Sequence, residues 1–117
     1  MSDASTTVDQ LKQLVNQFVT ERDWAQFHTP KNLSMSIAIE AAELMEHFQW
    51  HDSDGSRANL RDDPEAMEQI REELADILCY AISFANALKI DIDEALRDKL
   101  VKNAQKYPAD RFRGRFK

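Results

Sequence analysis

A chain of 117 residues is long enough for one domain with a single hydrophobic core, and no linker, repeat or low-complexity tract divides it. The formal net charge of −6 argues against bulk attraction to nucleic acid or to an anionic membrane, and no apolar run approaches the ~20 residues of a membrane span. We therefore expect a soluble, cytoplasmic protein without a membrane or nucleic-acid partner, in which the single cysteine, Cys79, is a buried hydrophobe rather than a nucleophile.

Turn-forming residues are scarce, since the chain holds only two glycines and three prolines, and this favours long helices over a many-stranded fold. Thr7 and Gln10 have the spacing of a capping box, and apolar residues then recur with helical period to about residue 21. The segment 22–28 mixes aromatic and polar residues without a clear period. Its Trp24 and Phe27 either close the end of a helical bundle or form a flap over a ligand.

Two further helices begin with the same signal, an N-cap residue followed by proline at the first helical position. Thr29-Pro30 predicts a helix from about residue 30 to 50, and Asp63-Pro64 predicts one from about 64 to 89, with a polar loop at 51–62 between them. Both helices are apolar around most of their circumference. We therefore expect another subunit to cover part of their surface.

A fourth helix is predicted from Asp91, whose spacing to Glu94 resembles a capping box, to Pro108, and a basic tail follows at 109–117. The sequence thus predicts an all-α fold in the form of a four-helix bundle. We expect a single domain over residues 1–117, with its core at about 7–108, assembled as a homo-oligomer.

Two acidic couplets lie within the second and third helices. Glu40 and Glu43, and likewise Glu73 and Asp76, are three residues apart and so share a helix face. Their neighbours are apolar, so both faces should point inward and, on adjacent helices, gather four carboxylates into one pocket. Four such anions repel by roughly 4 kcal/mol per close pair at an effective dielectric of about 20, so a cation is expected among them.

The expected cation is a hard divalent metal ion. Oxygen-only ligation favours Mg2+, with Mn2+ as a substitute, over iron or zinc. A di-iron centre would need Glu-x-x-His pairs, whereas the residues three before the histidines are Ala25, Leu44 and Phe48. Because Mg2+ binds carboxylates together with substrate phosphates, a phosphate-bearing substrate is the natural partner.

Other polar and aromatic residues suit such a substrate. The fourth helix has one polar face, formed by Lys99, Asn103 and Lys106. This face either binds polyphosphate oxygens or is simply exposed to solvent. Three residues either wall a base pocket by stacking or pack at helix ends, namely Trp24, His28 and Trp50.

Four strings of residues follow one another along the chain. They are Phe27-His28-Thr29-Pro30-Lys31-Asn32-Leu33, Glu40-Ala41-Ala42-Glu43-Leu44 with Phe48-Gln49-Trp50, Glu72-Glu73-Leu74-Ala75-Asp76-Ile77, and Lys102-Asn103-Ala104-Gln105-Lys106-Tyr107-Pro108. Together they resemble the MazG-like all-α nucleoside triphosphate pyrophosphohydrolases, and within that family the dCTP pyrophosphatase branch. The resemblance covers about residues 11–108. Each acidic couplet alone is a weak signal, whereas the ordered set is specific.

This resemblance implies an enzyme that cleaves a (deoxy)nucleoside triphosphate between the α and β phosphates, giving the monophosphate and pyrophosphate. Such an enzyme removes unwanted nucleotides from the pool. The implied substrate is dCTP or a related or modified pyrimidine dNTP. The implied catalytic Mg2+ ligands are Glu40, Glu43, Glu73 and Asp76. The implied nucleotide contacts are Trp24, Phe27, His28, Trp50, Tyr80, Lys99, Asn103 and Lys106. Single-domain members of the family are dimers or tetramers with sites at subunit contacts.

One position departs from the dCTP branch, which has a histidine one turn before the first-helix phenylalanine, where this chain has Val15 before Phe18. The base preference is therefore left open. Two functions of other classes also fit the residues. One is a non-catalytic helical interaction or regulatory module, and the other is a nucleic-acid-binding helical protein that uses the basic tail, although the net charge counts against it.

Overall fold

The computed structural model of the chain describes residues 1–54, 60 and 62–115, and within these ranges it contains helices and no strand. The elements in chain order are α1 (Val8–Glu21), a 3-10 turn (Ala25–Phe27), α2 (Pro30–Glu46), α3 (Pro64–Leu88), α4 (Ile92–Lys106) and the short α5 (Ala109–Phe112). The all-α class is thereby confirmed. Half of the polar loop expected at 51–62, and the end of the basic tail, lie outside the described residues. None of the described helices has the length and apolarity that a bilayer span requires.

The helices begin where their capping residues stand. Thr7 Oγ1 accepts a hydrogen bond from the Gln10 amide at 3.1 Å, and Gln10 Oε1 accepts one from the Thr7 amide at 2.7 Å, which completes the capping box of α1. The side chains of Thr29, Asp63 and Asp91 cap α2, α3 and α4, each by accepting a hydrogen bond from the backbone amide three residues further on. Each cap satisfies a backbone amide that the start of a helix leaves without an intrahelical partner.

The second helix is shorter than predicted, because it ends at Glu46 rather than near residue 50. The amides of His47 and Phe48 bond back over only three residues, to the carbonyls of Leu44 and Met45. This spacing tightens the chain into a turn instead of continuing the α-helix. Trp50 consequently lies beyond the end of α2.

The centre of the molecule is the pair formed by α2 and α3, and α1 packs against α3. The core of the single chain is small. Leu33 on α2 is only 1% exposed, and Val19 on α1 and Ala85 on α3 are also buried. One buried apolar residue therefore comes from each of the three helices.

Two hydrogen bonds tie α1 to the C-terminal end of α3. Lys12 Nζ donates to the carbonyl of Ile90 at 2.7 Å, and Asn86 Nδ2 donates to the carbonyl of Lys12 at 3.1 Å. Both are partly buried and link residues more than 70 positions apart in the chain. They fix where α1 lies along α3.

The fourth helix extends away from the other three. After the left-handed residue Lys89, with φ of 56°, α4 makes only sparse contact with the helices before it. The radius of gyration is 17.2 Å, whereas a compact domain of about this size has about 13 Å. Leu96, Leu100 and Val101 of α4 are each more than half exposed. Within one chain, α4 does not close a bundle with α1, α2 and α3.

The helices that carry the acidic couplets also expose apolar side chains. Ile39 on α2 and Leu74 and Leu78 on α3, all expected in the core, are 58%, 49% and 50% exposed. The reason is that a single chain supplies no layer to cover this flank. Contiguous apolar surface of this kind is uncommon on proteins that act as monomers.

A candidate metal centre beside an aromatic cleft

Four acidic side chains meet where α2 lies against α3. Glu40 and Glu43 are one turn apart on α2, and Glu73 and Asp76 are one turn apart on α3. Carboxylate oxygens of Glu40, Glu73 and Asp76 all lie within 4.8 Å of one another. Glu43 lies within hydrogen-bonding reach of both Glu40 and Glu73. The two couplets, 30 residues apart in the sequence, thus form one acidic cluster.

Electrostatics within the acidic cluster disfavour its fully charged form. Burial away from water, followed by the hydrogen bond and charge of Glu43 and the charges of Asp76 and Glu73, raises the pKa of Glu40 to about 7. Burial, and then the charge of Glu43, also raises the pKa of Glu73. A cation placed among these carboxylates would reverse both shifts, because an opposite charge favours the ionised form.

Two oxygens of the acidic cluster lack a hydrogen-bond partner among the described residues. Oε2 of Glu40 and Oε2 of Glu73 are buried, and no described residue donates a hydrogen bond to either. A buried carboxylate oxygen without a donor is costly, and coordination to a metal ion would remove that cost. Because the donors are all carboxylate oxygens, these residues fit a hard divalent cation such as Mg2+ or Mn2+.

A cleft of about 460 Å³ opens beside the acidic cluster, between α1 and α3. Asp76 belongs both to the cluster and to the wall of the cleft. The α1 wall is apolar, with Leu14, Val15 and Phe18, and Trp24 meets the Phe18 ring edge-on at 5.8 Å between centroids. An apolar, aromatic surface next to a cation site suits a ligand that joins a planar ring to an anionic group.

The α3 wall of the cleft is more polar. Asp76, Tyr80 and Ser83 recur at four- and three-residue spacing and therefore share one helix face. Ser83 is only 8% exposed. His28 also lines the cleft, and its Nδ1 is buried with no hydrogen-bond partner in the described part of the chain. Hydrogen-bonding groups therefore lie about 10 Å along α3 from Asp76, since seven helical residues rise by that distance.

The aromatic residues and the histidine predicted to contact a nucleotide divide into two groups. Trp24, His28 and Tyr80 line the cleft. Phe27 and Trp50 do not, and their side chains are 59% and 87% exposed. The early end of α2 accounts for the position of Trp50.

The polar face predicted on the fourth helix is present but distant. Lys99, Asn103 and Lys106 all belong to α4, which extends away from α1, α2 and α3, and none of them lines the cleft of its own chain. Lys106 instead lies 5.3 Å from the ring centroid of Tyr107. Within this chain, these three residues are therefore not part of the cleft.

Several cleft residues were not anticipated from the sequence as ligand contacts, among them Leu14, Phe18 and Ser83. The available signal was spacing, because Ser83 is seven residues after Asp76 and Leu14 is four before Phe18.

The expectation that Cys79 is buried was wrong. Its side chain is exposed on the cleft wall, because this face of α3 borders open space rather than core.

The surroundings of Cys79 nevertheless make it a poor nucleophile. Partial burial, followed by the negative charge of Asp76, raises the pKa of its thiol. A raised pKa lowers the fraction of reactive thiolate at neutral pH. The expectation that chemistry in this molecule does not depend on the cysteine is therefore unchanged.

Comparison with known proteins adds an independent line of support. The model of the MazG-like family matches residues 35–116. The chain is 36% identical over 108 residues to dCTP pyrophosphatase 1 of Rattus norvegicus and 36% identical over 103 residues to that of Homo sapiens. These matches cover 92% and 88% of this chain but 63% and 60% of the relatives, so the chain spans less than two thirds of their length.

A solved structure matches over almost its whole length. A pyrophosphatase from Archaeoglobus fulgidus superposes with a TM-score of 0.80 and is 36% identical, and the match covers 92% of this chain and 98% of that protein. Similarity in sequence and in fold therefore point to the same group of proteins.

Proposed function

Because this chain belongs to the MazG-like family, we propose that it is a metal-dependent nucleoside triphosphate pyrophosphohydrolase. It cleaves a (deoxy)nucleoside triphosphate between the α and β phosphates and releases the monophosphate and pyrophosphate. The 36% sequence identity to dCTP pyrophosphatase 1 supports dCTP, or a related or modified pyrimidine dNTP, as the substrate. The observation that carries the proposal is the position of Asp76, which is part of both the acidic cluster and the cleft.

In this proposal the acidic cluster holds Mg2+, or Mn2+ in its place. When bound, the divalent cation neutralises charge on the phosphate oxygens and activates the attacking water. The residues that hold and orient it are Glu40, Glu43, Glu73 and Asp76. One of these carboxylates, or the neighbouring Glu72, accepts the proton of the water as it attacks the α-phosphorus in line with the leaving pyrophosphate.

The cleft receives the nucleoside. With the phosphates at the Asp76 end, the base lies between the apolar α1 wall and the face of α3 that carries Tyr80 and Ser83. Trp24 offers a ring for stacking, which is worth about 0.5–1.5 kcal/mol beyond the buried area. Phe27 and Trp50 remain proposed nucleotide contacts from positions outside the cleft.

A second copy of the chain completes the site. The exposed apolar residues of α4 match the exposed flank of α2 and α3 in character, so docking α4 of one copy on the flank of another would cover both. The same docking brings Lys99, Asn103 and Lys106 of one copy towards the acidic cluster of the other. Positive groups there would balance charge on the leaving pyrophosphate. The proposed assembly is a homo-oligomer, a dimer or tetramer.

A product assay on the unaltered protein tests this function. Canonical and modified dNTPs are incubated with and without Mg2+, and pyrophosphate is measured against orthophosphate. We expect pyrophosphate alone, released only when the divalent ion is present, with cytosine nucleotides among the substrates. Orthophosphate as the product, or turnover that persists in a strong chelator, would contradict the proposal.

The rival interpretation, a non-catalytic interaction or regulatory module, makes a different prediction in a thermal shift measurement. A ligand that binds only the folded state raises the melting temperature. A catalytic site should respond to Mg2+ together with a triphosphate, whereas the module should show neither a shift nor turnover.

A further inference from the structure

Next to the cleft lies a second cavity of about 360 Å³, which we call the inner cavity and which shares Val19, His28 and Ser83 with the cleft as lining residues. Its other walls carry two carboxamides on facing helices, Asn16 on α1 and Asn86 on α3. A ligand that lies along the cleft with its anionic end at Asp76 therefore directs its opposite end towards these amides.

The length of α3 fits this placement. Asn86 is ten residues after Asp76, which is a rise of about 15 Å along the helix. A nucleotide that extends from a metal-bound phosphate through its sugar to the far edge of its base has a comparable span. The inner cavity is thus at the distance where the exocyclic groups of the base would lie.

The orientation of the Asn86 amide is fixed by the fold. Its Nδ2 donates to the backbone carbonyl of Lys12 at 3.1 Å. A carbonyl can only accept a hydrogen bond, so the nitrogen of the amide must be the atom on that side. The bond to Lys12 leaves two groups of the amide, the acceptor Oδ1 and the second N–H of Nδ2, and of these we assign Oδ1 to a ligand in the inner cavity that Asn86 lines.

We propose that Asn86 selects the base by accepting a hydrogen bond from an exocyclic amino group, and that the protein therefore prefers amino-bearing bases, such as cytosine, over bases that present a carbonyl at that position. The inference rests on the proposed function and assigns a specificity-determining residue to it. A carbonyl oxygen opposite Asn86 Oδ1 would place two acceptors together and leave both without a donor, which is costly in a partly buried site. Asn16 and His28 remain available for the ring nitrogen beside the amine.

The first experiment uses the unaltered protein. The value of kcat/KM is measured for dCTP and for the analogue whose pyrimidinone ring lacks only the 4-amino group, with dUTP as the carbonyl-bearing comparison. We expect a loss of about tenfold or more for both, because one hydrogen bond to the base is removed. The same pair of measurements with dATP and its deaminated purine analogue distinguishes an amino-pyrimidine from an amino-purine.

Substitutions then separate recognition from structure. Asn86→Asp loses the donor to Lys12 but keeps an acceptor, so the preference for the amino-bearing base should persist. Asn86→Leu loses both, and the ratio of kcat/KM for dCTP over the deaminated analogue should fall to about one. The matched control is Lys12→Met, which removes the adjacent Lys12–Ile90 hydrogen bond at the same helix contact and should leave the ratio unchanged.

The outcomes are distinguishable from failure of the proposed function. If the unaltered protein releases pyrophosphate from triphosphates but hydrolyses dCTP and its deaminated analogue equally well, the assignment of Asn86 is wrong and the function stands. An unchanged ratio in Asn86→Leu would have the same meaning. If no triphosphate is hydrolysed, both the function and the inference built on it fail. The measurement on the unaltered protein decides the matter even if the leucine variant does not fold.

Discussion

Glu40 and Glu73 each bury a carboxylate oxygen that no residue in the described ranges supplies with a hydrogen-bond donor. Burial away from water, followed by the hydrogen bond and the charge of Glu43, therefore raises the pKa of Glu40 to about 7. Arrangements of this kind are characteristic of functional sites, where local stability is lower so that a ligand can supply the missing interactions. Two predictions follow from individual residues of the acidic cluster.

Neutral amides in the acidic cluster should separate activity from stability. We expect Glu43→Gln and Asp76→Asn to lower Mg2+-dependent pyrophosphate release by about 100-fold or more, since even residues that only support a metal ligand typically contribute 10–100-fold. Both variants should melt at a higher temperature than the metal-free parent, because each removes one repelling charge. Pyrophosphate release and circular dichroism measure the two effects.

The matched control for these variants is Glu68→Gln. Glu68 is exposed on α3, one to two turns before the acidic cluster, and it pairs with Arg71 at 2.6 Å. Exposed pairs contribute little to stability, so turnover and melting temperature should both stay close to those of the parent. Full turnover in both cluster variants would show that the acids are not metal ligands.

The metal-free protein should lose stability as the pH rises from about 4.5 to 7. The pKa of Glu40 is raised in the folded state from 4.5 to about 7, so its contribution is fully present below the lower value and is lost as the pH rises through the upper one. Mg2+ should stabilise the protein most at the high end of this range, where the carboxylates are ionised. Thermal melts between pH 4.5 and 8, with and without Mg2+, measure both trends.

Glu40→Gln serves as the control for the pH experiment, because it removes one of the two carboxyl groups with a raised pKa and should weaken the pH dependence of the metal-free protein, leaving the part that Glu73 contributes. A parent protein whose metal-free stability does not change over this range would contradict the assignment.

At the scale of elements, each helix has a distinct task. The α2–α3 pair supplies the acidic cluster, and α1 supplies the apolar wall of the cleft, held in place by hydrogen bonds at Lys12. α4 has no comparable role within its own chain. Its apolar residues Leu96 and Leu100 are one turn apart and more than half exposed, which is the pattern of a helix that packs against a partner.

A charge on the apolar face of α4 tests the proposed assembly. We expect Leu100→Lys to shift the protein to monomer and to reduce turnover by about tenfold or more, because a charged side chain cannot be buried without a partner. α1, α2 and α3 should remain folded, since α4 makes only sparse contact with them. Light scattering and circular dichroism measure the two properties.

Asp98→Lys is the control for this experiment, because Asp98 is exposed on α4 and lies about 160° around the helix from Leu100. This change also adds positive charge but should leave the assembly intact. An unaltered protein that is already monomeric and fully active would contradict the role given to α4.

How much the sequence alone could predict depends on the range of the interactions. Caps such as Thr7 and Asp63 involve neighbours three residues away, and acidic couplets share a face by helical period, so both were predicted. The exposure of Leu96 was not, because periodicity identifies an apolar stripe without saying which chain covers it. The inner cavity depends on a contact between Asn86 and Lys12, 74 residues apart, and no local pattern encodes it.

At the scale of the whole molecule, the acidic cluster is separated within one chain from the polar face of α4, which carries Lys99, Asn103 and Lys106. The radius of gyration of 17.2 Å reflects the extended position of α4. If each site combines the cluster of one copy with α4 of another, two inactive variants can complement one another in a mixed oligomer. A site contained within one chain could not behave in this way.

Complementation should be measurable by mixing Asp76→Asn with a Lys99→Ala, Lys106→Ala double variant after denaturation and refolding together. In a randomly mixed dimer, about a quarter of the sites would combine an intact cluster with an intact α4. We expect activity to return to about that fraction of the parent, whereas each variant refolded alone should stay inactive. Activity in the mixture no higher than the average of the two variants would contradict a shared site.

The Lys12–Ile90 hydrogen bond has a mechanical consequence, because Ile90 lies between the end of α3 and the start of α4. The helix α1, which forms one wall of the cleft, therefore also holds the connection from which α4 departs. A ligand that widened the cleft would strain this hydrogen bond and change the angle between α3 and α4. Ligand occupancy and subunit affinity should consequently be thermodynamically linked, each altering the other by the same factor.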